Sequence, residues 1–188
     1  MNQDIPSLAH LVKRLDADTA TGDKRQICDA VRRTLVDETE EGRLCLPEAM
    51  VAVSAQRYAR RLLHRGEGYT VVVMVWGPGQ GTPIHDHDGK WCVECVYQGT
   101  IHVVSYDLKG SPSDEIVSFQ VEEDIVAGRG QAGALIPPYD YHIIENTHDD
   151  VAVTVHVYGG EIVRCTTYSP VDGDGRYRRE ERELFYTV

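Results

Sequence analysis

His85 and His87 stand one residue apart in Gly79-Gln-Gly-Thr-Pro-Ile-His85-Asp-His87, directly after a turn rich in glycine and proline. Residues i and i+2 of an extended segment point to the same side. Two imidazoles so placed can hold a transition metal, and neutral imidazole nitrogens suit iron, zinc, copper and nickel alike. A third ligand is required. His142 is the candidate, because its setting repeats that of His85: the Pro137-Pro138 turn, then a histidine opening a strand-like run. His10, His64, His102 and His148 fall on a helix edge, near turns or on exposed faces and receive no role.

Sulfur chemistry is the next question. The chain has five cysteines, an odd count, and no recognisable secretory leader, so a disulfide framework is not expected. Cys92-Val-Glu-Cys95 is a lone CxxC without the second pair that a structural zinc site wants. It also lies within an apolar, strand-like run, where residues three apart face opposite sides. Cys95 therefore reads as core packing, and Cys92 belongs to the other face.

The elements that must carry these groups change character along the chain. Leu8, Leu11, Val12 and Leu15 repeat at helical spacing, as do Ile27, Val31 and Leu35 in a segment starting near Asp23. A third helix is expected from about Pro47 to Leu63. From Tyr69 onward the chain is rich in β-branched and aromatic residues, beginning with Tyr69-Thr-Val-Val-Val-Met-Val-Trp76. Seven further strand-like runs follow: 91–97, 100–108, 116–121, 134–136, 142–146, 151–158 and 162–168. Short strands at such spacing predict a sandwich or barrel. The expected layout is a mostly β single domain over residues 1–188. Residues 1–66 form a mainly helical N-terminal layer, 67–170 a β-barrel and 171–188 a C-terminal tail. In that tail Arg176, Arg178 and Arg179 lie beside Glu180, Glu181 and Glu183, which reads as a solvated, self-compensating segment.

Composition narrows the partners. A net charge of −11 with no basic patch argues against nucleic acid. No apolar run approaches the roughly 18 residues of a membrane span. The expectation is a cytoplasmic protein acting on a small molecule, and the sequence carries no indication of its oligomeric state.

The spacing Gly79-x5-His85-x-His87-x4-Cys92-x6-Gly99 resembles the first cupin motif, G-x5-HxH-x3,4-E-x6-G, with Cys92 where most cupins have a ligand glutamate. Pro137-x-Tyr139-x2-His142-x3-Asn146 resembles the second, PxG-x2-H-x3-N, with Tyr139 replacing the glycine. Three histidines without a ligand carboxylate resemble the thiol dioxygenases, and specifically the cysteine dioxygenase family. Tyr58-Ala-Arg60 resembles that family's Tyr-x-Arg segment. The step from His87 to Cys92 matches the family, and Thr154-Val-His156-Val-Tyr158 resembles its closing Ser-x-His-x-Tyr. The resemblance covers roughly residues 50–160.

The resemblance implies a cupin-type, jelly-roll-like double-sheet barrel holding Fe(II) on His85, His87 and His142. It implies that both atoms of O2 are added to the sulfur of L-cysteine, giving cysteine sulfinic acid. Arg60, with Tyr58 beside it, would hold the substrate carboxylate, since a guanidinium does so bidentately. Thr154, His156 and Tyr158 would form a hydrogen-bonded row reaching the iron, and Cys92 would bond to Tyr158 as a thioether. One departure bears on the substrate: Gly159-Gly160 stands where animal members have Ser-Pro-Pro. Relatives acting on 3-mercaptopropionate usually lack an arginine at the Arg60 position. The same reaction on 3-mercaptopropionate or mercaptosuccinate is the nearest alternative. A ligand-sensing cupin without catalysis and a zinc or nickel isomerase are the others.

Overall fold

The computed structural model describes residues 6–20, 22–138, 140–173 and 175–187, so Tyr139 of the second motif lies outside the described residues. Helix α1 spans Pro6–Thr19 and α2 Lys24–Glu40. Asp23 caps α2 through a capping box: its carboxylate accepts the Gln26 N–H at 2.9 Å, and the Gln26 side chain accepts the Asp23 N–H at 3.2 Å. The two helices bury Leu11, Leu15, Val31 and Leu35 completely. Each side chain buried in this way contributes about 1.5–3 kcal/mol.

The third helix expected over 47–63 does not form. Helix α3 is a single turn, Glu48–Val51, and Ala59–Arg65 is strand β1. Ala-Arg-Arg-Leu-Leu-His-Arg is made largely of good helix formers. Antiparallel pairing with β2 (Thr70–Trp76) nevertheless satisfies its backbone and buries Ala59 and Arg60, so tertiary pairing overrides local propensity.

The remaining strands are β3 (Ile84–His85), β4 (Cys92–Gln98), β5 (Thr100–Lys109), β6 (Ile116–Gly128), β7 (Ala132–Leu135), β8 (Tyr141–Glu145), β9 (Ala152–Tyr158), β10 (Arg164–Asp172) and β11 (Arg176–Glu183). They form two sheets. One has the order β1-β2-β9-β4-β7; the other closes on itself as β10-β11-β6-β5-β8-β3. The mostly β, double-sheet architecture expected from the sequence is present.

The expected boundaries shift at both ends. Besides β1, strand β11 falls in the segment expected as a tail. It pairs with β10 from Arg164↔Glu183 to Asp172↔Arg176 and with β6 from Arg176↔Ser118 to Arg178↔Ile116. Almost all its side chains are charged, so it lacks the apolar alternation that marks a strand in sequence. Its charges do compensate one another, through Arg179–Glu181 at 2.9 Å and Arg182–Glu180 at 3.5 Å.

The five-stranded sheet is covered on both faces, which explains the unbroken apolar run in β2. Val71, Val93, Val155 and Val157 pack outward on α1 and α2. Val72, Trp76, Cys92, Val96 and Tyr158 pack inward, toward the closed sheet. Strict alternation then points Glu94, Thr154 and His156 inward as well. Gly99 ends β4 with φ +74°, and a Cβ there would meet the Val151 carbonyl at 2.7 Å, so the first motif's last glycine is a steric requirement.

Candidate metal centre

Strand pairing brings the three histidines together. His85 on β3 lies directly opposite His142 on β8. His87 lies beyond the end of β3, in a loop anchored by the Asp86 N–H to the Thr166 carbonyl at 3.0 Å. The ring centroids of the three imidazoles are 4.6–5.2 Å apart, and the Nε2 atoms of His85 and His142 are 3.2 Å apart. One ligand nitrogen from each lies within 4.8 Å of the others. His87 and His142 are buried, and His85 is half-buried.

The far nitrogens orient the rings. His85 Nδ1 is 3.1 Å from the Pro83 carbonyl, and His87 Nδ1 is 3.3 Å from Asp140 Oδ2. Asp140 also accepts the His87 backbone N–H at 3.1 Å. An acceptor on Nδ1 fixes the tautomer and turns the Nε2 lone pair toward the centre. Burial pushes His85 down to about 3 and His142 well below the ordinary histidine value. Both are therefore neutral at pH 7, the state that binds metal. A convergent set of three imidazole nitrogens with no carboxylate oxygen among them fits one divalent transition ion of borderline softness.

Above the histidines is a cavity of about 420 Å3, whose wall includes Tyr58, Arg60, Tyr158 and His156. Arg60 is 4% exposed. Its Nη2 donates to the Ile162 carbonyl at 2.9 Å, while Nε and Nη1 are buried without a hydrogen-bond partner. Its guanidinium lies 4.6 Å from the centre of the Tyr186 ring. Unpartnered buried donors on a permanent cation are costly, and a bound carboxylate removes that cost.

The row on β9 is hydrogen-bonded at one end. Thr154 Oγ1 is 2.7 Å from His156 Nε2 and accepts the Trp76 indole N–H at 2.9 Å. Tyr58 stacks on Trp76 with centroids 4.6 Å apart. At the other end His156 and Tyr158 lie ring to ring, 5.8 Å apart and inclined by 19°. Tyr158 is directly opposite Cys92 across the β9–β4 pair. Such pairs bring Cβ atoms to about 4.5–5.5 Å. Burial raises both the Cys92 thiol and the Tyr158 hydroxyl well above their ordinary values, a hydrogen bond from Tyr158 pulling the thiol partly back. Gly159 follows because a Cβ there would fall 2.3 Å from the Trp91 ring.

Seven of the nine residues singled out in the sequence thus line this cavity, and Cys92 and Thr154 lie behind it against His156. Three of their neighbours were missed. Asp140 orients His87, Tyr186 covers Arg60, and Glu94 is a buried carboxyl between His142 and His156. Glu94 was visible as the one acid in the apolar run 91–97, on the same face as Cys92.

The mostly β double-sheet barrel is a cupin, and its three converging histidines form a candidate metal site. The cysteine dioxygenase type I family model matches residues 12–170 of the chain, which belongs to that family. Cysteine dioxygenase type 1 of Rattus norvegicus is 26% identical over 119 residues, covering 62% of this chain and 58% of that protein. The Homo sapiens protein is 27% identical over 119 residues, with the same coverage. The chain spans a little under three fifths of the length of these relatives. A solved RmlC-like cupin protein from Desulfovibrio desulfuricans is 24% identical, covering 63% of this chain and 96% of that one, with a TM-score of 0.46.

Proposed function

We propose that the protein is an Fe(II)-dependent thiol dioxygenase and that its substrate is L-cysteine. The observation that carries the reading is the pairing, in one cavity, of a three-imidazole cluster with the two unpartnered buried nitrogens of Arg60. Family membership supports the same chemistry.

His85, His87 and His142 would hold the iron, which when bound supplies a site where thiolate and O2 meet. Three neutral ligands leave the ion its full charge, and that charge favours thiolate over thiol. Both oxygen atoms end on sulfur, the thiol becomes a sulfinic acid, and no second reductant is needed. Arg60 would clamp the substrate carboxylate, with Tyr58 fixing the wall beside it. Tyr158 would orient the reacting groups and hold a proton at its hydroxyl, with Thr154 and His156 setting its position.

Cys92 and Tyr158 would join as a thioether, with loss of two hydrogens taken up by O2. Their register across β4 and β9 supports this pairing. Intact mass and peptide mapping of protein aged with iron and substrate check it; two unmodified residues overturn it.

Mercaptosuccinate is the second reading, because Arg57 and Arg182 line the same cavity and a second carboxylate wants a second cation. Oxygen uptake by the Fe(II)-loaded protein separates the two when run with L-cysteine, 3-mercaptopropionate and mercaptosuccinate. The expected result is highest kcat/KM for cysteine and a fall of about 100-fold in Arg60→Ala, the range of a lost charged hydrogen-bond pair. An unchanged kcat/KM in that variant removes Arg60 from substrate binding. No thiol-dependent uptake at all favours a ligand-sensing cupin.

A further inference from the structure

Two of the three histidines of the metal centre have an acceptor on Nδ1, and the third does not. His142 Nδ1 is buried with no hydrogen-bond partner. The acid that faces it is Glu94, whose Oε1 is 3.9 Å away. The other carboxyl oxygen of Glu94, Oε2, is also buried and unpartnered, and it lies 3.5 Å from His156 Nδ1. Glu94 is only 8% exposed. Its place follows from strand register: it is directly opposite His156 on β9 and on the inward face of β4 with Cys92 and Val96.

Unpartnered buried polar atoms are uncommon, because each gives up its hydration without a replacement bond. Here one of them, His142 Nδ1, faces Glu94 Oε1 at 3.9 Å, and the other, Glu94 Oε2, faces His156 Nδ1 at 3.5 Å, both gaps longer than a hydrogen bond. A small side-chain adjustment satisfies both. The Thr154 hydroxyl, which already accepts from Trp76, has its own proton to give to His156 Nε2. His156 then carries its proton on Nδ1, which faces Glu94 Oε2 at 3.5 Å and Cys92 Sγ at 3.8 Å, the carboxyl being the stronger acceptor.

We infer that Glu94 is a positioning residue: its two carboxyl oxygens accept the Nδ1–H groups of His142 and His156, fixing the His142 ring and tying it to the β9 row. The bridge extends an unbroken line of contacts from Tyr58 through Trp76, Thr154 and His156 to a candidate metal ligand. It also gives all three histidines an acceptor on Nδ1: a backbone carbonyl for His85, Asp140 for His87 and Glu94 for His142. The carboxyl missing from the ligand set sits one layer behind it. This inference deepens the proposed function and rests on His142 being a ligand.

The test uses Glu94→Leu, close in volume and apolar, and Glu94→Gln, which keeps one acceptor oxygen. Nitrogen-edited histidine spectra of the metal-free protein read the Nδ1–H groups directly, and Co(II) titration reads the ligand set. In Glu94→Leu the His142 and His156 Nδ1–H signals shift or vanish, and Co(II) binds about 10–100-fold more weakly, the usual cost of losing such a partner. Glu94→Gln recovers most of the affinity and one of the two signals. A folded Glu94→Leu protein with both signals and the Co(II) affinity of the parent overturns the inference. If Glu94→Leu does not fold, Glu94→Gln decides alone, because two unmoved signals there also overturn it. Wild-type protein that binds no Co(II) defeats the proposed metal function and leaves the bridge to be decided by the metal-free spectra.

Discussion

Two glutamates are buried in this molecule in opposite ways. Glu38 on α2 is fully buried and held by three side chains: the guanidinium groups of Arg14, Nη1 at 2.9 Å, and Arg43, Nε at 3.0 Å, with His10 Nδ1 at 3.1 Å. Burial alone would raise its pKa, but hydrogen bonds from Arg14, His10 and Arg43 outweigh that and hold it below the usual carboxylate range. Glu94 is buried among imidazoles, and burial pushes its carboxyl up to about 7. The first is a saturated ionic joint between α1 and α2. The second has capacity left over. A buried carboxyl with both oxygens hydrogen-bonded reads as structure, and one with an oxygen unpartnered reads as readiness for something else.

The strongest challenge to this contrast is to strip Glu38 of a partner. Arg14→Ala leaves a buried carboxylate short of one guanidinium and is expected to cost about 2 to 3 kcal/mol in urea unfolding. Co(II) affinity should not change. The contrast fails if the variant keeps its stability or loses metal affinity.

A smaller effect is expected with acid. The folded pKa of Glu38 is depressed, so its contribution is fully present above the unfolded carboxylate pKa. It is lost as pH falls through the folded value. The stability difference between wild type and Glu38→Gln should therefore be greatest at neutral pH and shrink below about pH 4. A constant difference from pH 7 to pH 3 would show that the depressed pKa contributes nothing.

The smallest effect belongs to a third kind of carboxylate. Glu161 pairs with Arg65 at 2.8 Å, and the pair is open to solvent, the side chains being 36% and 55% exposed. Exposed pairs contribute little. Glu161→Ala should unfold at the wild-type urea midpoint, and a clear shift would mean that burial is the wrong variable by which to sort these acids.

The same contrast explains what could be read from sequence. Histidines at fixed spacing are rare enough to stand out, so His85, His87 and His142 were legible, as was the row Thr154, His156 and Tyr158. Arg60 was legible as a residue but not as part of a strand. Its neighbours Arg61, Leu62 and Leu63 have helical propensity, and only pairing with β2 makes them extended. Strand β11 was hidden because charged residues cover it. Glu94 was hidden for the opposite reason: a single acid in an apolar run looks like an interruption until register sets it opposite His156. Local patterns report what a segment prefers, whereas these three features were decided by the strand each segment pairs with.

Arg60 carries one more consequence. Its backbone N–H donates to Thr187 Oγ1 at 3.0 Å, a bond between residues 127 positions apart. Its carbonyl accepts the Thr187 N–H at 2.7 Å. During synthesis the three histidines and the β9 row emerge from the ribosome well before this contact can be made. A nascent chain can therefore bring the three histidines together first. The anchoring of the pocket arginine waits for the closing of one of the longest loops in the molecule.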